Sequence, residues 1–302
     1  MNISKNQFEV LVYIEREGGK KITQRAIADD THLSLGVVNR VLGELNELGL
    51  ISVNSKKALQ ITRTGLDSLE PYRVRRAVVI AAGFGTRMVP ITLNTPKPLV
   101  RVHGKMIVET LLDAIVQAGI PEIVLVRGYL WEQFDALVHR YPQIRFLYNP
   151  LFNESNNVSS VLQAKDLLRG AYVCEADLLV NNPHLIRKYE YATNYLGLYR
   201  EHTDDWCFET KRGVITGLNV GGTNCYHMYG ISYWTPEDGA RLEKDVDAVF
   251  HMPGGKERYW DEVSLRICAK NYRVEVRPCR KGDIVEIDTF NELKEIDPVY
   301  AI

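Results

Sequence analysis

The run from Ala81 to Val100, AAGFGTRMVPITLNTPKPLV, carries the densest chemistry in the chain. It directly follows RAVVIAAG, an apolar stretch that reads as a buried strand. After Ala82, Gly83 and Gly85 let a ligand approach the backbone closely, and their amides can face anionic oxygens. Thr86 and Arg87 come next, and a guanidinium there can fork onto phosphate oxygens. Lys97, set between Pro96 and Pro98, can place a compact charge on the same group, and with Pro90 these prolines stiffen the path between the two cations. The chemistry is that of a phosphate cradle. A dinucleotide fingerprint fits poorly, because Met88 stands where its third glycine would be.

Two acidic positions could complement the cradle. CEAD leaves Asp177 at the carboxyl end of an apolar strand, with Glu175 on the same face. VEID places Asp288 after another such strand, with Glu286 two residues earlier on its face. Mg²⁺ takes one or two carboxylates plus substrate phosphate oxygens, so two distant aspartates converging on one cation would meet its needs. Taken alone, Asp177 is equally readable as a solvated turn residue.

These residues need a scaffold. From Arg76 onward strand-like runs alternate with helical ones: RAVVIAAG, then IVETLLDAIVQAG as an amphipathic helix ending at Gly119. EIVLVRGY follows as a strand, WEQFDALVHRY as a helix, IRFLYN as a strand, SSVLQAKDLLRG as a helix and AYVCEAD as a strand. Such alternation predicts an α/β three-layer, Rossmann-like domain over 76–302 with a mixed, mainly parallel sheet. Ligands in such sheets bind beyond the carboxyl ends of the strands.

Residues 1–70 read differently, as three helices and a hairpin. Phe8, Leu11, Val12 and Ile14 share a helix face; Thr23 and Ser34 are candidate N-caps; Val37, Val38, Val41, Leu42, Leu45 and Leu48 stripe a third helix closed by Gly49. LISVN and ALQIT then flank SKK. The order is that of a winged helix-turn-helix, and the segment resembles small regulator domains of that type. A linker is expected at 71–75, where SLEPYRVRR carries a proline and three arginines. Nine Lys/Arg balance nine Asp/Glu in residues 1–70. Arg40 and Asn39 on the third helix are accompanied by Glu44 and Glu47, which would repel phosphates, and Lys56 and Lys57 are the one basic pair well placed for a DNA backbone. DNA therefore stays an open partner but not the favoured one, behind a protein-contact or regulatory role.

The 302 residues with a net charge of −1, 45% hydrophobic and 25% charged, suit a two-domain globular protein with no overall pull toward nucleic acid or anionic membrane. Five scattered cysteines form no CxxC pair, and no basic n-region or ~18-residue apolar stretch occurs. A cytoplasmic location with no membrane partner is the expectation. A homodimer is left open.

The G-x-G-T-R…P-K-P pattern resembles the signature of nucleotidyltransferases that activate sugar phosphates and phosphoalcohols, over nearly all of the chain from Arg76 on. The resemblance implies that Gly83 and Gly85 wrap a triphosphate, Arg87 faces its β and γ phosphates, Lys97 contacts the reacting phosphate, and Asp177 and Asp288 bind the metal. Sugar-activating members carry a Gln-Pro-x-Gly-type motif that is missing here. NPLFNESNNVSSVLQAKD instead resembles the matching stretch of bacterial CTP:phosphocholine cytidylyltransferases, where Asn156, Asn157 and Ser159 would read the cytosine edge or merely cap a helix. DDWCF, GISYW and RYWDEV match the same subgroup. Their Trp206, Tyr233, Trp234, Tyr259 and Trp260 would offer faces to a quaternary ammonium, with Asp261 and Glu262 supplying charge. The expected reaction is Mg²⁺-dependent transfer of CMP from CTP to phosphocholine. Phosphoethanolamine or 2-aminoethylphosphonate is the alternative acceptor, a sugar 1-phosphate comes after these, and a ligand-sensing regulator is the rival from another class.

Overall fold

The computed structural model describes residues 2–18, 20, 22–54 and 58–301. The chain divides into two compact units, Met1–Arg73 and Val74–Ile302.

The first unit opens with α1 (Lys5–Glu17), α2 (Gln24–Thr31) and α3 (Leu35–Glu47). Thr23 and Ser34 cap α2 and α3 by accepting from the Ala26 and Val37 amides, as their hydroxyls predict. Gly49 follows α3 with φ 69°, a left-handed turn that suits glycine. Phe8, Leu11, Ile14, Val38, Val41 and Leu45 form the core. An antiparallel hairpin of β1 (Ile51–Val53) and β2 (Leu59–Ile61) makes the wing. Lys56 and Lys57 lie outside the described residues. A helix the sequence pattern did not reveal, α4 (Arg63–Leu69), continues through a turn at Glu70–Tyr72. The two units meet at Arg73 and Val74, within the expected linker at 71–75; Val74 is buried and donates its amide to the Lys188 carbonyl.

The second unit is built on β3 (Arg76–Ala81), a small hairpin of β4 (Arg101–Val102) and β5 (Lys105–Met106), α5 (Ile107–Gln117), β6 (Glu122–Arg127), β7 (Ile144–Tyr148), α6 (Val158–Gln163), β8 (Ala171–Glu175) and β9 (Leu178–Val180). Then come β10 (Asn194–Lys211), β11 (Val214–Trp234), α7 (Pro236–His251), the helical turn α8 (Trp260–Glu262), β12 (Glu275–Pro278), β13 (Ile284–Glu286) and α9 (Phe290–Ile296). A seven-stranded sheet has the order β10-β12-β11-β8-β3-β6-β7. Strands β8, β3, β6 and β7 run parallel; β11 is antiparallel to β8. Alternate residues of β3 face opposite cores: Ala77, Val79 and Ala81 pack toward α5, and Val78 and Ile80 toward α6 and α7. That alternation gives the expected three layers. The helix expected over WEQFDALVHRY forms as a 3₁₀ segment, Trp131–His139, entered through left-handed Leu130 with no side-chain cap. The helix expected over SSVLQAKDLLRG stops as α at Gln163. No helix among the described residues is long and apolar enough to cross a membrane.

Sheet register brings the chemistry together. Ile80 pairs with Glu175, so the glycine loop after β3 and Asp177 after β8 leave the sheet as neighbours. A separate antiparallel pair sets Glu286 of β13 opposite Leu178 of β9, which carries Asp288 to the same place. The β10–β11 hairpin curls back on itself: Cys207 and Phe208 pair with Asn219 and Leu218 on one side and with His227 and Tyr226 on the other. Its tip reaches β12, with Val214 opposite Glu275.

Candidate active site

A cleft of about 660 Å³ opens over the carboxyl ends of β3 and β8. Lys97 lines it. The side chain is 8% exposed, and its Nζ donates to Asp177 Oδ2 at 2.8 Å and to Asp288 Oδ1 at 3.0 Å. Burial works to lower the lysine pKa, but the two carboxylates together outweigh it and the group is held above its ordinary value. Arg87, largely exposed, reaches the same Asp288 oxygen from the rim at 2.8 Å. Gly85 is required by more than a ligand: its φ is 65°, and a Cβ there would come within 2.9 Å of the Lys97 Cβ. Gly83, by contrast, has open space around it. Ala82, Thr86 and both glycines line the cleft, as the sequence pattern predicts.

Asp177 offers a second oxygen, Oδ1, which is buried and has no hydrogen-bond partner among the described residues. A buried lone pair of this kind is costly unless a cation or donor meets it. With Asp288 one lysine away, the pair fits a hard divalent ion that binds carboxylate and phosphate oxygens.

Asn156, Asn157 and Ser159 line the cleft, but their polar atoms are largely committed to its wall. Asn156 Nδ2 donates to the Glu257 carbonyl at 3.2 Å, and its Oδ1 accepts from the Asn157 amide at 2.7 Å. Asn157 donates to Glu175 Oε1 at 3.2 Å and accepts from the Trp260 amide at 2.9 Å. Ser159 accepts from Asn149 and donates to the Asn156 carbonyl. These bonds preorganise the wall of the cleft.

Of the expected aromatic faces, Trp206 and Tyr259 line the cleft together with Asp261. Tyr233, Trp234 and Trp260 do not; at 1%, 0% and 0% exposure they are core. Both faces of the sheet are covered, so successive side chains of β11 enter the two cores: Tyr233 packs edge-on to Tyr172, and Trp234 edge-on to Tyr195 and Trp260. Trp234→Ala and Trp260→Ala are each expected to cost about 3–5 kcal/mol of stability in urea unfolding and to leave the acceptor KM of folded protein unchanged. A selective KM rise without destabilisation would return them to the site.

The cleft is more acidic than the sequence pattern suggested. Glu175 rests flush against Gly230, where a Cβ would sit 2.4 Å from its Oε2. Burial, then Asp177, Asp261 and Glu286, push its carboxyl well above the usual range. Burial carries Asp261 up to about 7 against the hydrogen bond it accepts from Tyr195. Burial also raises Glu286, opposed by its hydrogen bond with His227. Asp205, His227 and Glu286 bring one ligand atom each to within 4.8 Å of one another, a set that can hold a cation. Asp205 lies in the DDWCF run, whereas nothing in the local pattern of β11 marks His227.

Comparison with known proteins agrees with this geometry. Residues 76–208 match the nucleotidyl transferase family and residues 1–57 the MarR family. A 2-aminoethylphosphonate cytidylyltransferase of Lancefieldella rimae is 37% identical over 229 residues, covering 74% of this chain and 93% of that protein. A choline-phosphate cytidylyltransferase of Streptococcus pneumoniae is 29% identical over 231 residues, covering 74% and 97%. The solved CTP:phosphocholine cytidylyltransferase from Streptococcus pneumoniae superposes with a TM-score of 0.70 at 28% identity, over 75% of this chain and 99% of that one.

Proposed function

The chain belongs to the nucleotidyl transferase family, and from that premise we propose that it moves CMP from CTP to a small zwitterionic acceptor ending in a primary amine, of the 2-aminoethylphosphonate kind. The carrying observation is the trio Asp205, His227 and Glu286, no more than 4.8 Å apart. A primary ammonium has three N–H donors in tetrahedral directions. Acceptors each ~2.9 Å from such a nitrogen stand at most about 4.7 Å from one another; the trio's ligand atoms fit that span, with His227 Nε2 and Glu286 Oε2 at 3.6 Å. A trimethylammonium has no N–H and depends on aromatic faces. Only Trp206 and Tyr259 of the expected five remain for it, and the Arg266 guanidinium already lies 5.0 Å from the Trp206 ring centre. Phosphocholine is the second reading, favoured by that surviving Trp206–Tyr259 pair at 5.5 Å.

An oxygen of the acceptor phosphonate or phosphate attacks the α-phosphorus of CTP in line, and pyrophosphate leaves. The attacking oxygen is already anionic, so no nucleophilic side chain is required. Lys97 and Arg87 neutralise charge gathering on the phosphoryl oxygens, and the glycine loop positions the triphosphate. Asp177 and Asp288 would hold Mg²⁺, which supplies further charge neutralisation when bound.

In the first unit Arg40 is paired with Glu44, and Glu44 also accepts from Gln7. That pairing and the neutral charge balance support a protein or effector as its partner over DNA.

The test is pyrophosphate release from CTP and Mg²⁺ with a panel of 2-aminoethylphosphonate, phosphoethanolamine, phosphocholine and a sugar 1-phosphate. The kcat/KM for the aminoethyl acceptors should exceed that for phosphocholine by at least ~10-fold, because unmet hydrogen-bonding groups penalise the methylated head. The reverse order would install phosphocholine, and no release with any acceptor would remove the enzyme reading.

A further inference from the structure

We infer that Phe152 is the platform on which the nucleobase of the triphosphate substrate stacks, and that Gly128 is the residue that makes room for it. The inference rests on the nucleotide reading above and names a contact that reading leaves open.

Phe152 lines the cleft beside Ala82 and Gly83, where the phosphate loop leaves the sheet. Its seat is made by a missing side chain. A Cβ at Gly128 would fall 2.7 Å from the Phe152 Cβ, 2.8 Å from its Cγ and 3.0 Å from the Ala82 Cβ. Gly128 lies just beyond β6, and the Tyr129 amide ties this turn to the Ala82 carbonyl at 3.1 Å. No positive φ marks Gly128, so close packing alone accounts for glycine there. A second ring packs against it. Phe84, between the two loop glycines, packs against Phe152 at 5.4 Å and against Tyr129 at 4.6 Å. The Tyr129 hydroxyl holds the Thr92 and Leu93 carbonyls, each at 2.9 Å, which anchors the segment between Arg87 and Lys97.

The same wall offers little else to a base. Asn149 donates to Ser159 and Ser160 at 2.9 and 3.1 Å and accepts from the Leu151 amide. The Ser155 hydroxyl donates to the carbonyls of Leu151 and Asn156. With the Asn156, Asn157 and Ser159 side chains likewise engaged, the large uncommitted surface on this side is the Phe152 ring. Every base has a π-face, and stacking on an aromatic ring is among the stronger contacts such a face can make.

The experiment is equilibrium binding of CTP, run beside steady-state turnover, on wild type, Phe152→Ala, Phe152→Tyr and Gly128→Ala. Phe152→Ala should weaken CTP binding about 10- to 100-fold, with the acceptor KM within about 2-fold of wild type. Phe152→Tyr should keep wild-type affinity, because the stacking face is kept. Gly128→Ala should also weaken CTP binding, by forcing the ring off its seat. Unchanged CTP affinity in Phe152→Ala would overturn the inference, as would equal weakening for the acceptor, the mark of a general structural role. A wild type that binds CTP without turning over would overturn the proposed reaction and leave this contact to be judged on affinity alone. A wild type that binds no nucleotide would overturn both.

Discussion

Lys97→Ala is expected to slow pyrophosphate release from CTP at least ~100-fold, the scale of losing one charge-stabilising group at a phosphoryl centre. The reason lies in the geometry. A nearly buried ammonium sits between Asp177 and Asp288, which keep it charged through neutral pH. A charge held nearly buried acts on a transferring phosphoryl group without reorganising at the moment of reaction. The substitution also leaves two carboxylates facing each other with no cation between them, so the variant should be compared with Lys97→Arg. That second change keeps the charge and loses the compact ammonium. Both should retain the wild-type circular dichroism spectrum at 25 °C. Turnover of Lys97→Ala within a few-fold of wild type would remove this residue from the chemistry.

Asp177→Asn should have an effect of similar size, with a different signature. The amide keeps the shape but removes the charge, and it turns one oxygen into an N–H₂ group beside Lys97. The rate should fall ~100- to 1,000-fold. Mn²⁺ affinity, read by electron paramagnetic resonance with CTP present, should weaken at least ~10-fold, since the orphaned Oδ1 is the donor that best suits a hard cation. A variant with the lost rate but unchanged Mn²⁺ affinity would take Asp177 out of the cation site. It would then act through Lys97 alone.

How far the sequence could carry this reading depended on whether the signal was local. The glycine loop, Lys97 and the acidic residues closing strands were legible because each follows a buried run whose direction fixes where its next residues emerge. The two helix caps in the first unit were legible because a side chain makes its bond three residues away. The aromatic residues behaved otherwise. Nothing local distinguishes Trp206, which faces the cleft, from Trp234, which is fully buried; the difference lies in which sheet face is covered and by what. For Asn157 the resemblance implies a place at the base edge, with a helix cap as the alternative. Its actual partners, Glu175 and the Trp260 amide, are 18 and 103 residues away. His227 and Gly128 were out of reach for the same reason, as their meaning comes from neighbours remote in the chain. α4 went unseen because its seven residues are too short to show a period.

The curl of the β10–β11 hairpin makes this part of the chain sensitive to length. Asp205 and Trp206 sit where the pairing shifts between Thr203 and Trp206, at the bend itself. Side chains alternate faces along a strand, so gaining or losing one residue there would turn Trp206 away and present Cys207 in its place. Lys97, Asp177 and Asp288 belong to other elements and would keep their positions. A change of length at this bend would therefore remodel the Asp205–Trp206 side of the cleft while the residues around Lys97 stay in place.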